Sequence, residues 1–255
     1  MSALNSTDNK LRSDNRQPGQ LRPTRLTPHW AMHAEGSVLV EAGSTKVLCT
    51  ASIEDRVPTF LRGTGKGWIT SEYGMLPRAT STRTVREASR GRLSGRTQEI
   101  QRLIGRSLRA VTQLEKLGER TVWIDCDVLQ ADGGTRTASI TGAYIALYQA
   151  LASLVDEGKL ESVPLKSAVA ATSAGVIDGE VFLDLCYEED HTAAVDFNVV
   201  MTEDHELVEI QGTSEGELMS REYLEQLLSI TSKGISELIE VQNHEIAKLN
   251  HHADR

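Results

Sequence analysis

Cysteine is scarce in this 255-residue sequence. The three present, Cys49, Cys126 and Cys186, lie far apart and in no CxxC or Cys/His spacing, so neither a disulfide framework nor a structural zinc site can be built from them. Buried free thiols are expected. No apolar run approaches the roughly 20 residues that a membrane-crossing helix requires. Residues 1–20 also lack the apolar stretch of about 7–15 residues that marks a secretory signal, so the chain is expected in the cytosol, away from membranes. Neither a GxxxxGK[S/T] loop nor a GxGxxG fingerprint occurs, which disfavours a nucleoside-triphosphate or dinucleotide cradle. Aromatic side chains make up only 4%. Trp68 and Tyr73 could stack a nucleobase, but rings this rare more often fill a core or its rim.

What is present is an ordinary soluble composition, 39% hydrophobic and 25% charged, in a chain long enough to bury about 70–75% of its unfolded surface. The net charge of −9 conceals a segregation. Residues 56–109 carry 12 Lys and Arg against Glu72, Glu87 and Glu99, a net of +9, so the rest of the chain carries −18. Residues 178–217 hold 13 Asp and Glu and no Lys or Arg. Either the two faces pair inside the molecule or across a subunit contact, or the basic one takes a phosphate-rich ligand and the acidic one a divalent cation.

Residues 1–20, rich in Asn, Ser, Asp and Gln, read as a disordered tail outside the fold. Strands are expected at 37–41, 46–53 and 67–72, the first two as a hairpin. Residues 77–95 are nearly devoid of apolar side chains and contain Arg78, Arg83, Arg86, Arg90 and Arg92, the mark of a long exposed loop. Ile100, Leu103, Ile104, Leu108 and Val111 form the stripe of an amphipathic helix over 96–111. Residues 121–130 alternate as a strand, with Val122, Ile124, Cys126 and Val128 on one face. A glycine turn leads to a helix over 137–155 that is apolar nearly all round. Strands follow at 168–176, 181–187, 194–201 and 207–211, then a helix over 220–249 that breaks near Gly234. The class is mixed α/β (α+β). Both halves set hairpins before a long helix, which hints at duplication, though no fixed-period repeat is visible.

Two constellations could carry chemistry. In Asp132-Gly-Gly-Thr-Arg the free N–H groups of a strand-to-helix turn converge on any anion, although a plain turn capped by Thr135 or Thr137 would read the same way. Arg136 favours the anion, because a guanidinium in the first helical turn works against the macrodipole unless a phosphate lies beside it. Asp190 and Asp196 bracket a strand entry, and both carboxylates could reach one Mg²⁺ that keeps several waters; a solvated acidic turn has the same spacing. The histidines have no metal-site pattern.

Six motifs in order, HAEGSVLV (33–40), EYGMLPR (72–78), REASRG (86–91), GRTQEIQRLIGR (95–106), DGGTRTASITG (132–142) and NVVMT (198–202), closely resemble the bacterial ribonuclease PH family. The resemblance covers residues 21–245. It implies one RNase PH-type domain over 21–249, with the βαβ fold of ribosomal protein S5 domain 2, between tails at 1–20 and 250–255. It implies a tRNA nucleotidyltransferase, a phosphorolytic 3′→5′ exoribonuclease. Such an enzyme uses inorganic phosphate as co-substrate to release nucleoside diphosphates from tRNA precursors, ribosomal RNA being left open as a further substrate, and the reverse reaction extends RNA 3′ ends. It also implies a homohexamer, a trimer of dimers. Carried over by position, Arg96, Gly134, Thr135 and Arg136 bind phosphate, and Arg78, Arg83 and Arg86 hold RNA. Asp190 and Asp196 match the family's acidic pair at the metal (Mg²⁺ or Mn²⁺) and catalytic centre, Asp190 being the favoured proton donor to the leaving 3′ oxygen. The rival is a non-catalytic exosome-type RNA-binding ring subunit, against which the intact site residues argue. A small-molecule phosphotransferase would need the nucleotide-binding glycine loop that is missing.

Overall fold

The computed structural model describes residues 12–214 and 218–253. Strands β1 (Thr24–Pro28), β2 (Gly36–Ala42), β3 (Thr45–Glu54), β4 (Trp68–Met75) and β5 (Thr121–Gln130) form one sheet in the order β1-β2-β3-β5-β4, with β4 parallel to β5 and the other neighbours antiparallel. An antiparallel sheet follows, ordered β7-β6-β8-β9, from β6 (Val169–Ile177), β7 (Glu180–Leu183), β8 (Val195–Thr202) and β9 (Leu207–Ser214). The helices are α1 (Gly95–Val111), α2 (Leu114–Leu117), α3 (Thr135–Asp156), α4 (Tyr187–Thr192) and α5 (Arg221–Ala253). This is the mixed α/β architecture read from the alternation of patterns.

The core sits where α3 meets β2 and β3 of one sheet and β6 of the other. By length and composition α3 could cross a membrane, contrary to the reading that no run is long enough, but it is the buried central helix of this core. In α1 the stripe Ile100, Leu103, Ile104, Leu108 and Val111 is buried as the spacing required, each side chain contributing about 1.5–3 kcal/mol. Ser94 caps that helix, its Oγ accepting the Thr97 N–H at 3.1 Å. Cys49 and Cys126 face each other across β3 and β5 with sulfurs 3.7 Å apart, and all three cysteines are buried and free. The expected break at Gly234 is absent: α5 runs through it, and a Cβ there would come within 2.9 Å of Leu183 Cδ2, so glycine serves close packing of helix on sheet. The helix also continues beyond 249, where a tail was expected, and Asn250 accepts a hydrogen bond from the Tyr148 hydroxyl at 2.9 Å.

A larger correction concerns the N-terminus. Residues 1–11 lie outside the described residues, but residues 12–20 are a strap folded onto the second sheet. Arg12 donates from Nη1 to the Leu183 carbonyl at 2.6 Å, from Nη2 to the Asp184 carbonyl at 2.9 Å and from Nε to Glu189 at 2.6 Å. Arg16 reaches the Asp184 carbonyl at 3.0 Å. Arg22 grips the Asp184 carboxylate at 2.6 and 3.0 Å, with both side chains buried. Burial, the largest single influence, would raise the Glu189 carboxyl, but the hydrogen bonds from Arg12 and the Cys186 N–H, with the charges of Arg12 and Arg16, together outweigh it and hold the group below the usual range. Local composition predicted a solvated tail because the carboxylates that meet Arg12 and Arg22 lie more than 160 positions away; Arg16 has a local partner, Asp14 at 2.6 Å. Removing one partner from such a buried pair strands a charge, at a cost of about 3–5 kcal/mol. The expected strand over 181–187 is cut short at Leu183 for the same reason: the chain turns at Asp184, whose φ is +52°, and enters α4.

Candidate active site

Helix α3 starts from Gly133 and Gly134, both left-handed, with φ of +73° and +62°. A Cβ on Gly133 would lie 2.5 Å from the Leu185 carbonyl oxygen, so the turn needs glycine for space as well as for backbone angle. Thr45 pins it: its hydroxyl accepts the Asp132 N–H at 3.0 Å and donates to the Gly133 carbonyl at 2.7 Å. The first intrahelical bond is Ala138 N–H to the Gly134 carbonyl at 3.0 Å, which leaves the preceding N–H groups without an acceptor inside the helix.

Arg136 stands in this first turn, and Arg96 stands in the first turn of α1. Neither turn contains an acid. Both guanidinium groups line one cleft, whose cavity of about 540 Å³ is also bounded by Gly134, Thr135, Asp190, Asp196 and Asn198. A neighbouring lobe of about 700 Å³ shares Arg96, Arg136, Asp190 and Asp196 and reaches Gln211 of β9. Two helix N-termini, two arginines and two carboxylates therefore border one space large enough for a nucleotide, and the cationic groups are a ready seat for phosphate.

Partners that no local pattern reveals hold these groups. Arg136 donates to Gln211 Oε1 at 2.8 Å and approaches Glu99 at 3.5 Å, and Gln211 itself donates to Glu99 at 3.0 Å. Asn198 donates from Nδ2 to Asp196 Oδ1 at 3.0 Å. Asp190, on α4, is exposed and makes no side-chain hydrogen bond among the described residues. Burial pushes the Asp196 carboxyl above the usual aspartate range, and the charge of Asp190 adds to this; Arg136, the Asn198 amide and Arg96 oppose it. Two repelling carboxylates in one cleft match what Mg²⁺ takes, one or two carboxylates with waters and substrate phosphates completing the shell. No group of three or more His, Cys, Asp or Glu able to hold a metal occurs among the described residues.

The raised titration of Asp196 gives an expected result. In metal-free protein, carboxyl-carbon NMR should place Asp196 above the ordinary aspartate value of about 3.9, and Asn198→Ala, which removes a donor to the ionised form, should move it higher. Asp196 then binds its proton more tightly folded than unfolded. Its contribution to stability accordingly falls as pH rises from the unfolded value through the folded one.

Other residues singled out from sequence go elsewhere. Tyr73 is only 6% exposed, its hydroxyl 2.9 Å from Thr135 Oγ1, and Trp68 is covered by the Arg109 guanidinium 4.3 Å from its ring, so neither offers a face to a base. Arg78, Arg83 and Arg86 are exposed on the long loop and do not line the cleft. Thr80, Ser81, Thr82 and Thr84 of that loop form its rim instead. The charge segregation is only partly resolved inside the chain: Arg106 pairs with Glu209 at 2.6 Å, linking the basic and acidic segments.

Residues 20–152 match the model of the 3′ exoribonuclease family, domain 1, and residues 167–234 match domain 2 of the same family. Over 241 residues the chain is 58% identical to a Ribonuclease PH of Geobacillus sp. (strain WCH70), covering 94% of each chain. The Archaeoglobus fulgidus exosome solved with RNA bound to the active site superposes with a TM-score of 0.77 at 22% identity, over 90% of this chain and 91% of that one. An archaeal exosome core gives 0.74 at 21% identity, over 91% of both chains.

Proposed function

Because the chain belongs to the 3′ exoribonuclease family, we propose that the cleft between α1, α3 and α4 is where it carries out phosphorolysis of RNA 3′ ends. The chain is a phosphorolytic 3′→5′ exoribonuclease, and tRNA precursors are its proposed substrates. The observation that carries the site assignment is the pairing of Arg96 and Arg136, each in an acid-free first turn, opposite Asp190 and Asp196.

Phosphorolysis brings an anionic nucleophile up to an anionic diester, so the site must first cancel that repulsion. Arg96, Arg136 and the N–H groups after Gly134 hold inorganic phosphate and aim one of its oxygens at the last phosphodiester. A new P–O bond forms to that phosphorus while the bond to the preceding 3′ oxygen breaks, and the terminal residue leaves as a nucleoside 5′-diphosphate. The departing 3′ oxygen needs a proton. Asp196 is tied to Asn198, whereas Asp190 is exposed and has no side-chain tether among the described residues, so Asp190 is the proposed donor. Mg²⁺ or Mn²⁺ would be held by Asp190 and Asp196 and would neutralise charge on the diester. Arg78, Arg83 and Arg86 guide the strand through contacts with its phosphates, which carry no sequence information. The proposed assembly is a hexamer, a trimer of dimers, supported by the exposure of Trp30, Met32 and Phe60, large apolar side chains of the kind that subunit contacts cover.

The test is to incubate the protein with a tRNA carrying extra 3′ nucleotides and Mg²⁺, with and without phosphate. Nucleoside diphosphates that appear only with phosphate are expected. Monophosphates released without phosphate would mean hydrolysis and a misassigned anion seat.

A further inference from the structure

With Trp68 and Tyr73 withdrawn from the cleft, the exposed rings beside the carboxylates are, among the described residues, those of Tyr187 and His191 on α4. Tyr187, the first residue of α4, is 61% exposed and borders both lobes of the cleft. It precedes Asp190 by three residues, so its ring and that carboxylate share a helix face. One turn on, the His191 ring lies parallel to it, with centroids 6.2 Å apart and planes 9° apart. The stacked pair presents an aromatic surface in a protein with few rings to spend.

This surface is held firmly. The Tyr187 N–H donates to Asp132 Oδ1 at 3.2 Å, tying α4 to the phosphate-binding turn. Glu189 accepts the Cys186 N–H at 2.9 Å and is gripped from behind by Arg12. A large ring on a braced helix, left in solvent within a polar cleft, is the arrangement that recognises a π-face.

We propose that Tyr187, backed by His191, is a stacking subsite for the nucleobase of the RNA's 3′-terminal nucleotide. The proposal rests on the phosphorolytic reading of the cleft and adds to it how the residue being removed is held. With the attacking phosphate at Arg96 and Arg136, and Asp190 at the breaking bond, the phosphorus lies between them and the terminal nucleoside, joined to it through its 5′ oxygen, is placed beside α4. Stacking tolerates every base because each has a π-face, as an enzyme that removes nucleotides one after another requires.

The test compares the full-length protein with Tyr187→Leu and Tyr187→Phe in steady-state phosphorolysis of an RNA oligonucleotide and of the same RNA with an abasic 3′-terminal ribose. Tyr187→Leu should raise KM for intact RNA about 5- to 150-fold, the equivalent of roughly 1–3 kcal/mol of stacking. KM for phosphate should stay unchanged, and Tyr187→Phe should behave as wild type. The abasic end should cost the wild type a similar factor and cost Tyr187→Leu nothing more. Additive losses, a raised KM for phosphate, or sensitivity only to a penultimate abasic residue would overturn the assignment. If the wild type releases no diphosphates at all, the phosphorolytic reading fails. Binding of the intact and abasic RNAs, followed by fluorescence anisotropy, then tests the stacking by itself: equal affinities would reject it.

Discussion

Replacing Arg136 with alanine is expected to lower kcat/KM for phosphate by about 10²–10³-fold, the usual effect of removing one preorganised donor from a developing anion. The guanidinium is fixed by Gln211 at 2.8 Å and so costs little to organise when phosphate arrives. Its loss removes half of the cationic pair that offsets repulsion between nucleophile and diester. Initial rates over a phosphate titration would read the effect, and affinity for RNA in the absence of phosphate should barely change. Arg136→Lys should recover only part of the rate, since an ammonium is a compact point charge without the planar fork that lets one guanidinium hold Gln211 with one edge and meet phosphate with another. Unchanged phosphate dependence in Arg136→Ala would remove this residue from the anion seat.

Asp190→Asn should reduce kcat about 10²–10⁴-fold at saturating Mg²⁺, the range expected when a positioned proton donor is lost. The substitution keeps shape and removes the acid. Neither KM should move as much as kcat, and melting temperature should be nearly unchanged because the side chain is exposed and has no side-chain hydrogen bond among the described residues. Wild-type turnover in this variant would exclude Asp190 as the donor.

How much of this could be read from sequence depended on how far apart the cooperating residues lie. The α1 stripe, the alternation in β5 and the apolar girth of α3 are local patterns, and all three elements formed where their periodicity put them. The glycine turn into α3 was equally legible as structure, since its two glycines and Arg136 are neighbours. Asn198, Gln211 and Glu99 were not assigned roles, because what matters in each is a bond to a residue on another element or across a pleat. Composition misled at both chain ends and at Gly234, where a packing requirement looked like a helix break. Tyr187 did carry a signal: it is an aromatic within the acidic run, three residues from Asp190 in α4, which, like α2, is too short for periodicity to announce.

The strap has a consequence for when this enzyme becomes dangerous to RNA. Arg12 meets Glu189 across 177 positions of sequence, and Arg22 meets Asp184 across 162. At a synthesis rate of about 5–20 residues per second, the N-terminal arginines wait roughly 10–30 s for their carboxylates to emerge. Until then α4 has no brace, and the proposed centre lacks both Asp190 and Asp196. A chain still tethered to the ribosome, surrounded by RNA 3′ ends, is therefore inert towards them until most of its length has been made.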